Sequence, residues 1–204
     1  MLRSLFHSAL PFTAFLEQVK TNVALWQDTY RLAHVPSDAV ARFAALPGRW
    51  HLLVVVEDWC GDAVNTVPLI ARVAELAPNV DLRVIGRDEQ TELMETHLTC
   101  GSRSIPVVIV LDEDFEERAW WGPRPRALQE SAMGEWSALP KDARYRLIRT
   151  WYARDRGRAT VDEIIAVIED AAPSAGVTEA GRGADPRGRH DWNCDEWSTA
   201  VASR

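Results

Sequence analysis

Short apolar runs that alternate with helical spacing predict an α/β fold for this 204-residue chain. Leu52 to Val56 and Pro106 to Leu111 are uninterrupted and rich in β-branched residues, the pattern of strands buried on both faces. A cysteine, Cys60, stands between the first run and a helical pattern that follows it at once. Strand, cysteine and helix start in that order are the context that a redox cysteine requires.

The elements follow in chain order. Phe12, Phe15, Leu16, Val19, Val23 and Trp26 recur at three- and four-residue intervals, which predicts one amphipathic helix. Ser37-Asp38 reads as the start of a second helix with Val40, Phe43 and Leu46 on its apolar face, stopped by Pro47-Gly48. His51 to Val56 is the first strand. Ala63 to Leu76 is helical, with Pro68 inside it as an expected kink. Asn79 leads into a strand over Val80 to Ile85, Glu89 to Leu98 reads as a short helix, and Gly101 as a turn. Pro106 to Leu111 is the third strand. Asp112 to Asp114 is a hairpin turn into a fourth, from Phe115 to Trp120. Helical patterns occupy Leu128–Leu139, Lys141–Arg154 and Thr160–Ala172. From Pro173 onward glycines and few apolar residues predict a flexible tail, so residues 1–172 are expected as the folded domain and 173–204 as the tail.

Hydrophobic residues make up 47% of the chain and charged residues 26%, enough apolar content for a substantial core. The net charge of −7 gives nucleic acid and anionic membrane surfaces no electrostatic reason to bind. Three cysteines do not make a disulfide scaffold. His7 and Pro11 interrupt the early apolar residues, so a mature start in a reducing cytoplasm is expected, and no run reaches the ~18 apolar residues of a membrane helix. No cofactor is implied. His190 and Cys194 fall short of the three or four ligands of a metal site.

The chemistry centres on Trp59-Cys60-Gly61-Asp62-Ala63. At a helix start, unpaired backbone N–H groups and the helix dipole favour the thiolate, while Asp58 and Asp62 oppose it; the helix-start effect is expected to prevail and to make Cys60 the most reactive thiol. Trp59 offers a flat apolar face to a substrate. Ala63 stands where the second cysteine of a dithiol site belongs. Glu57 has two readings: a carboxylate handling protons for Cys60, or a solvated strand terminus. Ser104-Ile105-Pro106 precedes the third strand. Its residues alone favour a trans proline at a strand start, and a cis bond would present the Ile105 backbone to an extended substrate. Cys100 is expected too far from Cys60 for direct attack, since bridged Cα atoms lie about 4.4–6.8 Å apart. In the tail, Cys194 between Trp192 and Trp197 is a possible substitute resolving thiol. Trp121-Gly122-Pro123-Arg124-Pro125 either packs the C-terminal helices onto the sheet or brings Arg124 to an anion.

Taken together, Glu57-Asp58-Trp59-Cys60-Gly61-Asp62, Arg87-Asp88-Glu89, Gly101 to Pro106, Trp121 to Pro125 and Trp151-Tyr152-Ala153 resemble the bacterial thioredoxin-like family with a Trp-Cys-Gly-Asp-Cys site. The resemblance runs from the first helix to Ala172. It implies a thioredoxin fold: a central mixed sheet of four or five strands flanked by helices, with N-terminal helices and a helical C-terminal extension. It also implies a cis Pro106 opposite Cys60, with Cys60 as nucleophile, and only these two positions carry over. The residues expected around the substrate are Trp59, Gly61, Asp62, Ile105 and Pro106. Ala63 departs from the family, so dithiol turnover does not carry over. Two functions are therefore expected to compete: monothiol redox chemistry on a protein or glutathione-like partner, and a binding module that keeps the groove without turnover.

Overall fold

The computed structural model describes residues 1–172, which form a five-stranded mixed sheet flanked by helices. Four helices and a two-residue strand precede the first long strand: α1 (Leu2–Ser8), β1 (Leu10–Pro11), α2 (Phe12–Gln18), α3 (Val23–Leu32) and α4 (Ser37–Ala45). Then come β2 (Trp50–Val56), α5 (Gly61–Leu76), β3 (Val80–Gly86), α6 (Thr91–Glu95), β4 (Val107–Leu111) and β5 (Glu117–Trp121). The chain continues through α7 (Arg126–Met133), α8 (Lys141–Asp155) and α9 (Arg158–Ala171). The boundary expected at residue 173 and the expectations for the tail, that for Cys194 among them, lie outside the described residues. No described helix is long and apolar enough to cross a membrane.

The strand order is β1-β3-β2-β4-β5. β2 and β3 are parallel, joined by the α5 crossover that parallel neighbours require. β4 runs antiparallel to β2, and β5 antiparallel to β4. Every residue of β2 and β4 is buried, as their unbroken apolar sequences predict for central strands covered on both faces. Val55 pairs with Val107, so the chain leaving β2 and the chain entering β4 meet at one end of the sheet. Val108 pairs with Trp121, which brings the end of β5 to the same place. Three distant segments, 57–60, 104–106 and 122–124, are thus gathered by strand register alone.

The helix expected over Phe12 to Trp26 is two helices. It breaks after Gln18, and Asn22 takes a left-handed conformation with φ 57°. The physical reason lies elsewhere in the chain: the Lys20 and Thr21 amides donate to Asp58 Oδ2 at 2.8 and 2.9 Å, bonds that a continuous helix would forbid. Trp26, fully buried, donates its indole N–H to the Asp58 carbonyl at 2.8 Å. The short helix expected over Glu89–Leu98 is confined to Thr91–Glu95.

His97, just after α6, is buried with both ring nitrogens against acceptors: Nδ1 lies 2.7 Å from the Leu93 carbonyl and Nε2 3.1 Å from Glu117 Oε1. Burial opposes its charge, but the Glu117 carboxylate and the Leu93 carbonyl outweigh burial and raise its pKa. A folded-state pKa above the unfolded one stabilises the fold fully below the unfolded value, about 6.5, and that contribution is lost as pH rises through the folded value. Urea unfolding is therefore expected to show a larger cost of His97→Gln at pH 5.5 than at pH 8.5. An equal cost at both would remove the charge from the account.

Candidate active site around Cys60

Cys60 is the N-cap of α5, with extended backbone at φ −76° and ψ 117°. Its amide donates to the Glu57 carbonyl at 3.1 Å, its own carbonyl accepts from Val64, and its sulfur accepts the Ala63 N–H at 3.5 Å. The sequence places the cysteine there because β2 ends at Val56 and three residues turn the chain into the helix. Across the gap, the thiol donates to the Ile105 carbonyl at 3.2 Å. The Ile105–Pro106 peptide is cis, as is Gly122–Pro123. Cys60 is a free thiol with 6% of its surface exposed.

The expectation that the helix start would lower the thiol pKa is corrected by this environment. Burial, reinforced by the Asp62 carboxylate, pushes the Cys60 thiol up to about 11. The Ala63 and Asp62 amides and the Arg124 guanidinium pull the other way and do not prevail. Desolvation penalises the charged sulfur, and the Ile105 carbonyl accepts only from the protonated form.

Trp59 is the exposed member of the motif, 49% accessible, with the Arg87 guanidinium 4.9 Å from its ring centroid. Where Gly61 lacks a side chain there is open space. Ile105 and Pro106 are buried beside the sulfur. Glu57 is half-buried and its Oε1 accepts the Asp88 N–H at 2.9 Å, tying the motif to the turn after β3. Asp58 faces away, toward the Lys20 and Thr21 amides.

Asp62, 8% exposed, is the second residue of α5 and sits in a polar cluster that sequence reading did not assemble. Its Oδ2 lies 2.7 Å from Arg124 Nη2, and its Oδ1 accepts the Tyr152 hydroxyl at 3.0 Å. Arg124 Nη1 donates to Gln129 Oε1 at 2.9 Å. The anion that Trp121-Gly122-Pro123-Arg124-Pro125 brings to Arg124 is thus a carboxylate of the same chain. That segment is clamped from α9, where Glu163 accepts the Trp121 indole N–H and the Arg126 amide, each at 2.8 Å. The motif Trp151-Tyr152-Ala153 was a signal for this cluster, because it supplies Tyr152. Among the described residues no group of three or more His, Cys, Asp or Glu is placed to hold a metal ion.

The family described as thioredoxin, Thioredoxin_9, matches residues 9–144. Among solved structures, a protein of unknown function from Pseudomonas aeruginosa is similar at 23% identity and TM-score 0.67, covering 82% of this chain and 96% of its own. An HIV epitope-scaffold is similar at 22% identity and TM-score 0.67, covering 83% and 98%. Both likenesses concern the fold. No curated protein matches the chain.

Proposed function

We propose, for a chain that belongs to the thioredoxin family, that Cys60 forms mixed disulfides one thiol at a time. The observation that carries this reading is the placement of the Cys60 sulfur at a helix start, 3.2 Å from the Ile105 carbonyl and beside the half-exposed Trp59. Trp59, Gly61, Ile105 and Pro106 form the surface on which an extended partner segment lies, with the Ile105 backbone pairing to it. Cys60 gives its proton to solvent and attacks one sulfur of the partner's disulfide. The partner S–S bond breaks, its second sulfur leaves as a thiolate that takes up a proton, and the new bond joins Cys60 to the partner. Ala63 offers no internal thiol, so a glutathione-like external thiol resolves the product. Glu57, three residues before Cys60, is the carboxylate proposed for proton handling, and its observed bond is to the Asp88 amide. Attack is slow at neutral pH, because a thiol with a pKa near 11 is almost wholly protonated there.

A second reading is favoured by the same burial and raised pKa: a docking module whose thiol takes no part. The two separate in one experiment. With oxidised glutathione and a peptide disulfide as probes, intact mass is expected to show one adduct on Cys60, absent in Cys60→Ser. Peptide binding without any adduct, unchanged in Cys60→Ser, would give the module reading the field.

A further inference from the structure

Asp62 and Arg124 form a largely buried ion pair at the head of α5, and both charges act on the Cys60 sulfur. Asp62 follows Cys60 by two residues at the head of α5, and Arg124 reaches it from the segment between β5 and α7 at 2.7 Å. Tyr152 of α8 fixes the other carboxylate oxygen at 3.0 Å, and Gln129 of α7 holds the far side of the guanidinium at 2.9 Å. Arg124 Nε is buried without a hydrogen-bond partner, so the guanidinium is not saturated by its neighbours. The remaining charged groups of the motif are engaged elsewhere: Glu57 with the Asp88 amide, Asp58 with the Lys20 and Thr21 amides. Among the described residues, Arg124 and Asp62 are the opposing charges that act on Cys60, with the Tyr152 hydroxyl bound to the latter.

We propose that Asp62 and Arg124 are paired positioning residues that govern the protonation of Cys60, Asp62 masking a guanidinium that would otherwise hold the thiolate. The inference rests on the mixed-disulfide reading for its functional meaning and on the cluster alone for its geometry. Removing the carboxylate charge leaves the guanidinium uncompensated next to sulfur in a poorly solvated site, where an opposite charge favours the thiolate most strongly. Removing the guanidinium leaves the carboxylate as the dominant charge and favours the thiol. A purely structural role for the pair predicts a different pattern, since loosening the cluster by either route would expose the sulfur and speed its reaction in both variants.

The test is the pH profile of iodoacetamide alkylation, followed by mass spectrometry on the peptide carrying Cys60. In that reaction the Cys60 thiolate forms an S–C bond, iodide leaves, and the thiol proton goes to the buffer. Asp62→Asn is expected to accelerate alkylation at pH 7 about tenfold and to move the profile to lower pH. Arg124→Gln is expected to slow it by a similar factor, and Arg124→Lys to restore a rate near that of the native protein. Circular dichroism and melting establish that each variant folds; should Arg124→Gln fail to fold, Arg124→Met takes its place, because slowing on loss of the guanidinium is the sign that a structural role does not give. Acceleration in both variants, or an unmoved profile in either folded one, overturns the proposal. Its failure is distinct from failure of the mixed-disulfide reading. An unmoved profile with glutathione adducts still forming sinks only the masking role, whereas opposite shifts without any adduct sink only the redox reading.

Discussion

Gly122→Ala is expected to destabilise the fold by about 2–5 kcal/mol and to disorder the neighbourhood of Cys60. Gly122 has φ +139°, a backbone region that L side chains rarely occupy, so strain alone accounts for part of the loss. The larger problem is space. A Cβ there would overlap the Pro106 carbonyl oxygen and lie 3.1 Å from its carbon and 3.3 Å from Val107 Cα, all backbone atoms with nowhere to go. The β5 end and the segment carrying Ile105 must then separate, and Ile105 supplies the carbonyl that accepts from Cys60. A melting temperature lower by roughly 5–15 °C is the expected readout for a chain of this size. Melting within a degree of the native protein would show that the two segments part without cost.

Much of this arrangement is legible in the amino-acid sequence, and the reason is local. β2, α5 and β4 each announce themselves through a run or a period that needs no distant partner, and the order strand, Cys60, helix, Ile105-Pro106 fixes which ends meet. β1 was invisible because two residues carry no alternation. The break between α2 and α3 was invisible because its cause is a carboxylate at Asp58, reached from Lys20 and Thr21 across 38 and 37 positions. The cluster around Asp62 was hidden for the same reason, Tyr152 lying 90 positions away. The elevated thiol pKa followed from that concealment. A helix start is visible in sequence, but burial of the sulfur and the carboxylate held beside it are tertiary facts.

Ala63→Cys is expected to raise dithiothreitol-driven reduction of insulin roughly tenfold or more, because a resolving thiol within the chain replaces a bimolecular step. Positions 60 and 63 lie on one face of the first turn of α5, and the Ala63 amide already reaches the Cys60 sulfur at 3.5 Å. The introduced thiolate would attack the Cys60 sulfur of the mixed disulfide. That bond breaks, the partner leaves as a thiol, and dithiothreitol reduces the internal disulfide that remains. Ala63 is fully buried, so the added sulfur costs about 1–3 kcal/mol of packing, which melting would register. A folded variant with no gain would show that the resolving thiol is not what limits turnover.

The two-residue strand β1 has a consequence for how copies of this protein treat one another. It pairs with β3 through Leu10↔Val84 and Pro11↔Arg83 and forms one margin of the sheet. An open sheet margin is a template on which a second chain can hydrogen-bond and grow into an aggregate. Here the outermost strand is too short to offer a continuous ladder, and Pro11 lacks the N–H that an incoming strand would use. The opposite margin, β5, opens with the charges of Glu117 and Arg118. A sheet whose central strands are among the most adhesive sequences in the chain is thereby finished on each side with residues that discourage stacking edge to edge. The modest segment that leads into α2 thus leaves this margin with little backbone for a second sheet to pair with.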